Sequence, residues 1–145
     1  MVTREISAGG VVFHRVGKAF KIALIKDMYG RWALPKGHVG DTIKGETSEQ
    51  AALRECSEEI GIPRDDLKIV EKLNDIKYFF HREGKTVFKI VHFFLIESSN
   101  SELKPQGEEV QDAQWFAPDE AVEKNEYENS TEIIKAAIKK IRVII

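Results

Sequence analysis

The sequence predicts a mixed α/β (α+β) domain with strands on both sides of one central helix. Two patterns indicate this fold: runs of β-branched and apolar residues bounded by turn signals, and two amphipathic helices, one in mid-chain and one at the C-terminal end. A chain of 145 residues is long enough for one hydrophobic core. We find no internal repeat and no linker-like segment, so we interpret residues 1–145 as a single domain.

The first half of the chain contains three predicted strands, which are Ile6–His14, Phe20–Lys26 and Arg31–Leu34. The first two are rich in β-branched and apolar residues and are separated by a turn at Gly17-Lys18. Pro35 ends the short third strand. Gly9 and Gly10 would weaken the first strand, so we expect it to bulge there or to have another segment packed closely against its backbone.

A central helix follows these strands. Thr47 or Ser48 can cap its first turn, Gln50 completes a Thr-x-x-Gln capping box, and Gly61 ends it. Apolar residues recur every four positions on one face of this helix, which consists of Ala52, Cys56 and Ile60 with Leu53 beside them. Because it lies on this face, Cys56 is interpreted as part of the core and not as a nucleophile.

The second half contains four predicted strands and two predicted helices. The strands are Leu67–Leu73, Ile76–His81, Val87–Glu97 and Val110–Phe116, and a turn over residues 81–85 joins the second and third as a hairpin. Pro118 opens a short helix, and Asn129 is predicted to cap the last helix, Ser130–Ile145. The apolar stripe of that last helix comprises Ile133, Ile134, Ala137, Ile138 and Ile141.

The composition narrows the class of protein. Hydrophobic residues make up 42% of the chain and charged residues 32%, and the net charge of −2 argues against a general nucleic-acid coat. One cysteine excludes an intramolecular disulfide and a cysteine-rich zinc site. The first residues lack the apolar run of a signal peptide and no later segment is long enough to span a membrane. We therefore expect a cytoplasmic protein without a membrane partner, either monomer or homodimer.

The central helix carries an unusual concentration of acidic residues. Five glutamates and a single basic residue, Arg54, lie between positions 46 and 59. Glu55, Glu58 and Glu59 are three or four residues apart, so their carboxylates share a patch. Like charges at this spacing destabilise a helix by roughly 0.2–0.5 kcal/mol per pair. A hard divalent cation such as Mg²⁺ or Mn²⁺ would offset this repulsion. The alternative is an acidic, solvated surface.

The wider segment resembles the Nudix box, G-x5-E-x7-R-E-U-x-E-E-x-G-U, in which U is apolar. Every position from Glu46 onward is filled, with Cys56 and Ile62 at apolar positions. The resemblance implies a Nudix-type α/β/α sandwich with a mixed sheet and a loop-helix-loop catalytic element. The run Leu-Pro-Lys-Gly-His-Val at residues 34–39 precedes the box, but its Gly37 lies three residues further from Glu46 than in the motif. Gly40 has the spacing that the motif states literally. We nevertheless interpret Gly37 as the structural equivalent of the motif's first glycine, followed by a three-residue insertion in the loop.

The resemblance also implies a chemistry, which is hydrolysis of a nucleoside diphosphate linked to another group. A divalent metal, Mg²⁺ or Mn²⁺, would assist attack of water on a phosphorus surrounded by negative oxygens. By resemblance, Glu55 and Glu59 are the principal metal ligands, a carbonyl at Gly37 or Gly40 adds to them, and Glu58 serves as ligand or base. Arg54 is expected to pair with Glu46, so that the loop is held to the helix.

Outside the box, the chain is similar to the bacterial diadenosine tetraphosphate hydrolase branch, in the segments 78–80, 88–95, 115–116 and at Tyr127. In that branch a distal glutamate completes the metal site or acts as base, and Glu109 matches it; the alternative is that Glu108 and Glu109 are solvated loop residues. The remaining substrate-binding candidates are Lys36, His38 and Lys89 for phosphate oxygens, Tyr78 for phosphate, and Tyr127 for stacking on a purine. Tyr127 lies outside both helical stripes, which leaves it no evident core to fill.

These residues favour a metal-dependent hydrolase with a small-molecule nucleotide substrate and no polymeric nucleic acid. The branch resemblance implies cleavage of diadenosine tetraphosphate to ATP and AMP. A nucleoside triphosphate pyrophosphohydrolase, including one for oxidised purine nucleotides, is the nearest alternative. A non-catalytic Nudix-fold nucleotide sensor is a further alternative, although such sensors usually lose box carboxylates and here all three are present.

Overall fold

A computed structural model describes residues 2–40, 43–106 and 109–145, so the predicted loop residue Glu108 lies outside the described part. Within these residues the strands are β1 (Val2–Val16), β2 (Ala19–Asp27), β3 (Trp32–Ala33), β4 (Lys36–His38), β5 (Leu67–Lys72), β6 (Ile76–Arg82), β7 (Lys85–Ser98) and β8 (Val110–Phe116). The helices are α1 (Ser48–Ile60), α2 (Pro118–Lys124) and α3 (Thr131–Ile144), with 3₁₀ turns at Arg64–Asp66 and Glu128–Ser130.

The described strands form one mixed sheet around a central parallel pair. β1 runs parallel to β7, in register from Val2 opposite Thr86 to Phe13 opposite Glu97. Every other pairing is antiparallel: β2 and β4 pair with β1, β5 and β6 pair with β7, and β3 and β8 pair with β2. The sheet order β3-β2-β1-β7-β5 therefore places the N-terminal strand at the centre of the domain.

Helices cover both faces of this sheet. Alternate residues of β1, β2 and β7, among them Phe13 and Phe93, pack with the apolar stripe of α3 and with Ala121 of α2. The other face, including Val12 and Phe94, packs against α1 through its predicted apolar residues. This three-layer arrangement confirms the predicted α+β sandwich. None of the described helices is long and apolar enough to cross a membrane.

Several predicted boundaries need correction. β1 is longer than predicted because its N-terminal half pairs with β7, and β4 was not predicted at all. β4 forms because Lys36 packs on Gly9, where a Cβ would lie 2.2 Å from the Pro35 carbonyl oxygen. The prediction that Asn129 caps the last helix is wrong, because the chain enters α3 through a 3₁₀ turn and the helix begins at Thr131. The capping box of Thr47 is confirmed.

Candidate active site

A buried ion pair joins the loop before α1 to the helix. Arg54 Nε donates to Glu46 Oε2 at 2.6 Å and Arg54 Nη2 donates to Glu46 Oε1 at 2.9 Å. Both side chains are almost fully buried, with 9% and 1% of their surface exposed. The hydrogen bonds from Arg54 hold the pKa of Glu46 below its ordinary value, although burial opposes this. Arg54 also donates to the His38 carbonyl oxygen at 3.1 Å, so it ties β4 to the same helix.

Gly37 packs directly against the acidic patch. A Cβ on Gly37 would lie 2.0 Å from the carboxyl carbon of Glu55, so a larger residue here would displace the Glu55 carboxylate from its position. Gly40 has a different role, because its φ of +81° places it in a turn with no atom within 4 Å of a Cβ built on it. Its N–H donates to Glu46 Oε1 at 3.2 Å. Of the two glycines, Gly37 is therefore the one beside the predicted metal ligands.

Glu59 lies at the most desolvated end of the acidic patch. Its Oε1 accepts the backbone N–H of Lys36 at 3.0 Å, which connects it to β4. Burial, together with the charges of Glu55 and Glu109, raises the pKa of Glu59 to about 8, against the opposing effect of the Lys36 N–H and ammonium. Burial likewise raises the pKa of Glu55 despite its contact with Arg54. The patch thus brings carboxyl groups together where solvent does little to stabilise their ionised forms.

These groups suit a divalent cation. Within residues 2–40, 43–106 and 109–145 no three acidic, His or Cys side chains are already gathered as a metal site. Instead, Arg54 Nη1 lies 2.7 Å from Glu55 Oε1 and 3.5 Å from Glu58 Oε2 and partly neutralises both. The donors are nonetheless hard oxygens on one helix face, and a cation would offset the burial and the neighbouring carboxylate charges that raise the pKa of Glu59. The residues that would hold it are Glu55, Glu58, Glu59 and the Gly37 carbonyl.

A cavity of about 270 Å³ opens beside Glu59. It brings together five of the predicted site residues, which are Lys36, Glu59, Tyr78, Glu109 and Tyr127. Apolar side chains such as Leu34 and Phe93 line the rest of its wall together with the turn after β2. The cavity therefore combines acidic, cationic and aromatic groups. Glu58 is not among its lining residues, and 56% of its side chain is exposed.

Lys89 and His38 lie next to this cavity but do not line it. Both face Glu5, whose Oε1 is 3.6 Å from Lys89 Nζ and 3.6 Å from His38 Nε2. Arg82 completes this Glu5 cluster, with its Nη1 2.6 Å from Glu5 Oε2. Burial and the charge of Lys36 lower the pKa of Lys89. Two residues after Glu5 on β1, Ser7 is buried and its hydroxyl has no hydrogen-bond partner among the described residues.

Tyr127 is held more firmly than the sequence predicts. The expectation that it has no core to fill is wrong, because it packs against the hydrophobic cluster under α1 while lining the cavity. Its hydroxyl donates to Asp27 Oδ2, and burial together with this bond raises the pKa of Tyr127 to about 12. The Arg31 guanidinium lies 5.9 Å from the centre of its ring. Tyr78, also half-buried, has its pKa raised by burial and by Glu5.

Sequence reasoning missed Glu5 and Asp27. Glu5 lies one residue before the predicted first strand, and its partners on β4, β6 and β7 are distant in sequence. Asp27 follows β2 at a position where a solvated turn carboxylate is the ordinary expectation. The only available signal for Glu5 was period-2 alternation, since Glu5 and Ser7 point to the same face as Val11 in an extended strand.

Comparison with known proteins identifies the family. A family model described as the NUDIX domain matches residues 3–137. A Mycobacterium tuberculosis protein designated a mutator protein, MutT4, is 39% identical over 118 residues, and the chain spans only 45% of its length. The asymmetrical bis(5'-nucleosyl)-tetraphosphatase of Caenorhabditis elegans is 29% identical over 123 residues, which are 83% of this chain and 85% of that protein.

A solved structure gives the same result for the fold. The binary complex of a C. elegans Ap4A hydrolase superposes with a TM-score of 0.75 at 24% identity, covering 97% of this chain and 99% of that chain. The chain therefore belongs to the Nudix family and is a Nudix hydrolase.

Proposed function

We propose that the chain hydrolyses a dinucleoside tetraphosphate, cleaving diadenosine tetraphosphate to ATP and AMP with Mg²⁺ or Mn²⁺. The observation that carries this proposal is the composition of one cavity. Lys36, together with Glu59 and Glu109 when a divalent cation is bound, suits a polyphosphate, whereas the rings of Tyr78 and Tyr127, which line the same cavity, suit a nucleobase. The C. elegans relative named as an asymmetrical tetraphosphatase, which aligns over most of both chains, supports this substrate class.

The residues divide the work of phosphoanhydride hydrolysis. A divalent cation held by Glu55, Glu58, Glu59 and the Gly37 carbonyl would neutralise phosphate charge and make water a better nucleophile. Lys36 binds a phosphate oxygen as a point charge at the cavity wall. Glu109, which faces the same cavity, accepts the proton of the attacking water. Arg54 is a positioning residue, because it fixes Glu46 and Glu55 while remaining buried itself.

The test is to identify products from a panel of nucleotides with Mg²⁺. The proposal requires ATP and AMP from diadenosine tetraphosphate, at a kcat/KM above that for any nucleoside triphosphate. A Danio rerio relative named as an oxidized purine nucleoside triphosphate hydrolase is 38% identical over 87 residues, so oxidised and ordinary purine triphosphates belong in the panel. If the chain instead prefers purine triphosphates and releases pyrophosphate and a monophosphate from them, the proposal is overturned in favour of a nucleoside triphosphate pyrophosphohydrolase.

The identity of the general base can be tested by comparing two glutamates. We expect Glu109→Gln to lower kcat by about 10²- to 10⁴-fold, the usual contribution of a general base. Glu58→Gln should cost less, because Glu58 lies outside the cavity lining whereas Glu109 is part of it. Steady-state kcat at saturating Mg²⁺ measures both. The opposite ranking would contradict the assignment of Glu109 as the base.

Removal of the Tyr127 ring should lower kcat/KM both for substrates with one base and for substrates with two. Because this ring lines the cavity, we expect Tyr127→Ala to lower kcat/KM about ten- to a hundredfold for both diadenosine tetraphosphate and adenosine 5'-tetraphosphate. Tyr127→Phe retains the ring and loses only the hydrogen bond to Asp27, so its loss should be several times smaller. A folded Tyr127→Ala variant with near wild-type kcat/KM would show that Tyr127 does not contact the base.

A further inference from the structure

One carboxylate organises the rim of the cavity. Asp27, the last residue of β2, accepts the backbone N–H groups of Tyr29 and Arg31 on Oδ1, each at 3.0 Å. Backbone bonds close the same turn, since Asp27 N–H donates to the Arg31 carbonyl and Gly30 N–H donates to the Asp27 carbonyl, both at 2.9 Å. The other oxygen of Asp27 accepts the Tyr127 hydroxyl. The turn over residues 28–31 is thus fixed to the cavity wall.

This turn presents exposed apolar side chains to the cavity. Tyr29 is 76% exposed and Met28 is 55% exposed, and both line the cavity together with Tyr127. The Tyr127 ring is less exposed, because it packs against the core and has Arg31 above it. Tyr29 therefore offers the more accessible aromatic surface at the rim, on a backbone that Asp27 holds in place. A solvated ring on a backbone held in this way suits stacking on a flat ligand group.

The size of the cavity limits what can be enclosed. At about 270 Å³ it falls just below the roughly 300–1,000 Å³ of pockets that enclose a drug-sized ligand. One nucleoside fills a space of this order, so the second nucleoside of a dinucleotide has to lie outside it. Met28 and Tyr29 form the adjoining rim, where a second base would meet an aromatic and a thioether side chain.

We propose that Tyr29 is a second nucleobase-stacking residue, which holds the base of a dinucleoside polyphosphate that stays outside the cavity, and that Asp27 positions it. This inference rests on the proposed function and deepens it, since it assigns each of the two bases to a separate tyrosine. Tyr127 contacts the enclosed base, which is common to all substrates. Tyr29 contacts the outer base, which only a dinucleoside substrate carries.

The experiment compares two substrates that differ only in the outer nucleoside, diadenosine tetraphosphate and adenosine 5'-tetraphosphate. Its readout is the ratio of their kcat/KM values. We expect Tyr29→Ala to lower this ratio about five- to tenfold, the low end of what loss of one base–aromatic contact produces. Tyr29→Phe retains the ring and should keep the ratio within about twofold of wild type. Phe79→Ala, which removes an aromatic ring 64% exposed and outside the cavity lining, is the matched control.

The positioning role of Asp27 is tested by comparing its replacement by asparagine with its replacement by alanine. Asparagine retains an oxygen for the Tyr29 and Arg31 N–H groups, so Asp27→Asn should keep the ratio of wild type, whereas Asp27→Ala should lower it as Tyr29→Ala does. An unchanged ratio in Tyr29→Ala, or equal losses on both substrates, would overturn the inference while leaving the tetraphosphatase activity standing. Wild-type protein that does not cleave diadenosine tetraphosphate would overturn the proposed function, and the inference with it.

Discussion

Glu59→Gln should produce a folded protein whose kcat is lower by about a thousandfold or more. The loss follows because a neutral amide is a poorer ligand for a divalent cation, which supplies several kcal/mol of transition-state stabilisation, and each 1.36 kcal/mol is a factor of ten in rate. The fold should persist because the amide oxygen can still accept the Lys36 N–H. Without divalent cation the unfolding temperature should equal or exceed that of wild type, since glutamine avoids the free-energy cost of burying a carboxyl that is ionised in the unfolded chain.

The matched control for this variant is Glu49→Gln. Glu49 is an exposed glutamate in the first turn of the same helix, so the same chemical change is made away from the patch. Calorimetric titration with Mn²⁺ should show weakened binding for the Glu59 variant and wild-type binding for the Glu49 variant. Folded Glu59→Gln protein with near wild-type turnover and Mn²⁺ affinity would contradict the assignment of Glu59 as a metal ligand.

Glu46→Ala should have the largest effect on stability. Its removal leaves Arg54 buried without its bidentate partner, and breaking such a pair typically costs about 3–5 kcal/mol of unfolding free energy. We expect a value near 3 kcal/mol, the low end, because Arg54 retains hydrogen bonds to Glu55 and to the His38 carbonyl. Urea unfolding measures the change. Activity should fall as well, since Arg54 would then be drawn more strongly to Glu55.

An exposed ion pair provides the comparison. Arg15 and Glu97 lie 2.7 Å apart with 41% and 29% of their side chains exposed, so Glu97→Ala should cost only about 0–1 kcal/mol of unfolding free energy.

The stabilising effect of Glu46 should also depend on pH. Because Arg54 holds its folded-state pKa below 4.5, Glu46 stabilises the fold above that pH and the contribution is lost as the pH falls through the lower folded-state pKa. A Glu46→Ala variant no less stable than Glu97→Ala at neutral pH would show that the buried pair is dispensable.

Local patterns made much of the fold and of the box helix predictable. α1 was predicted from its Thr47 capping box, its final Gly61 and a three-residue apolar face, and each of these is a property of neighbouring residues. The acidic patch followed from helical spacing alone. The extent of β1 and the existence of β4 could not be predicted, because both depend on pairing with strands or glycines elsewhere in the chain.

The same distinction applies to the candidate site. Lys36, Glu59 and Glu109 were proposed from motifs, and the fold places all three on one cavity. Glu5 and Asp27 were missed because nothing in their immediate neighbours distinguishes them from solvated carboxylates. Their roles arise from partners such as Lys89 and Tyr127, which are brought to them only by the tertiary fold.

The central parallel pair has a consequence for how the chain folds during synthesis. β1 finds its partner β7 only across a long stretch of sequence, as the contact between His14 and the Ser98 carbonyl, 84 residues apart, shows. On the ribosome, β1 and β2 can form their hairpin early, but one edge of β1 stays unpaired until two thirds of the chain has emerged. Closing so long a loop is entropically costly and slows folding. Until then the nascent chain exposes a strand edge rich in Val11, Val12 and Phe13, which gives newly made protein a period of susceptibility to aggregation.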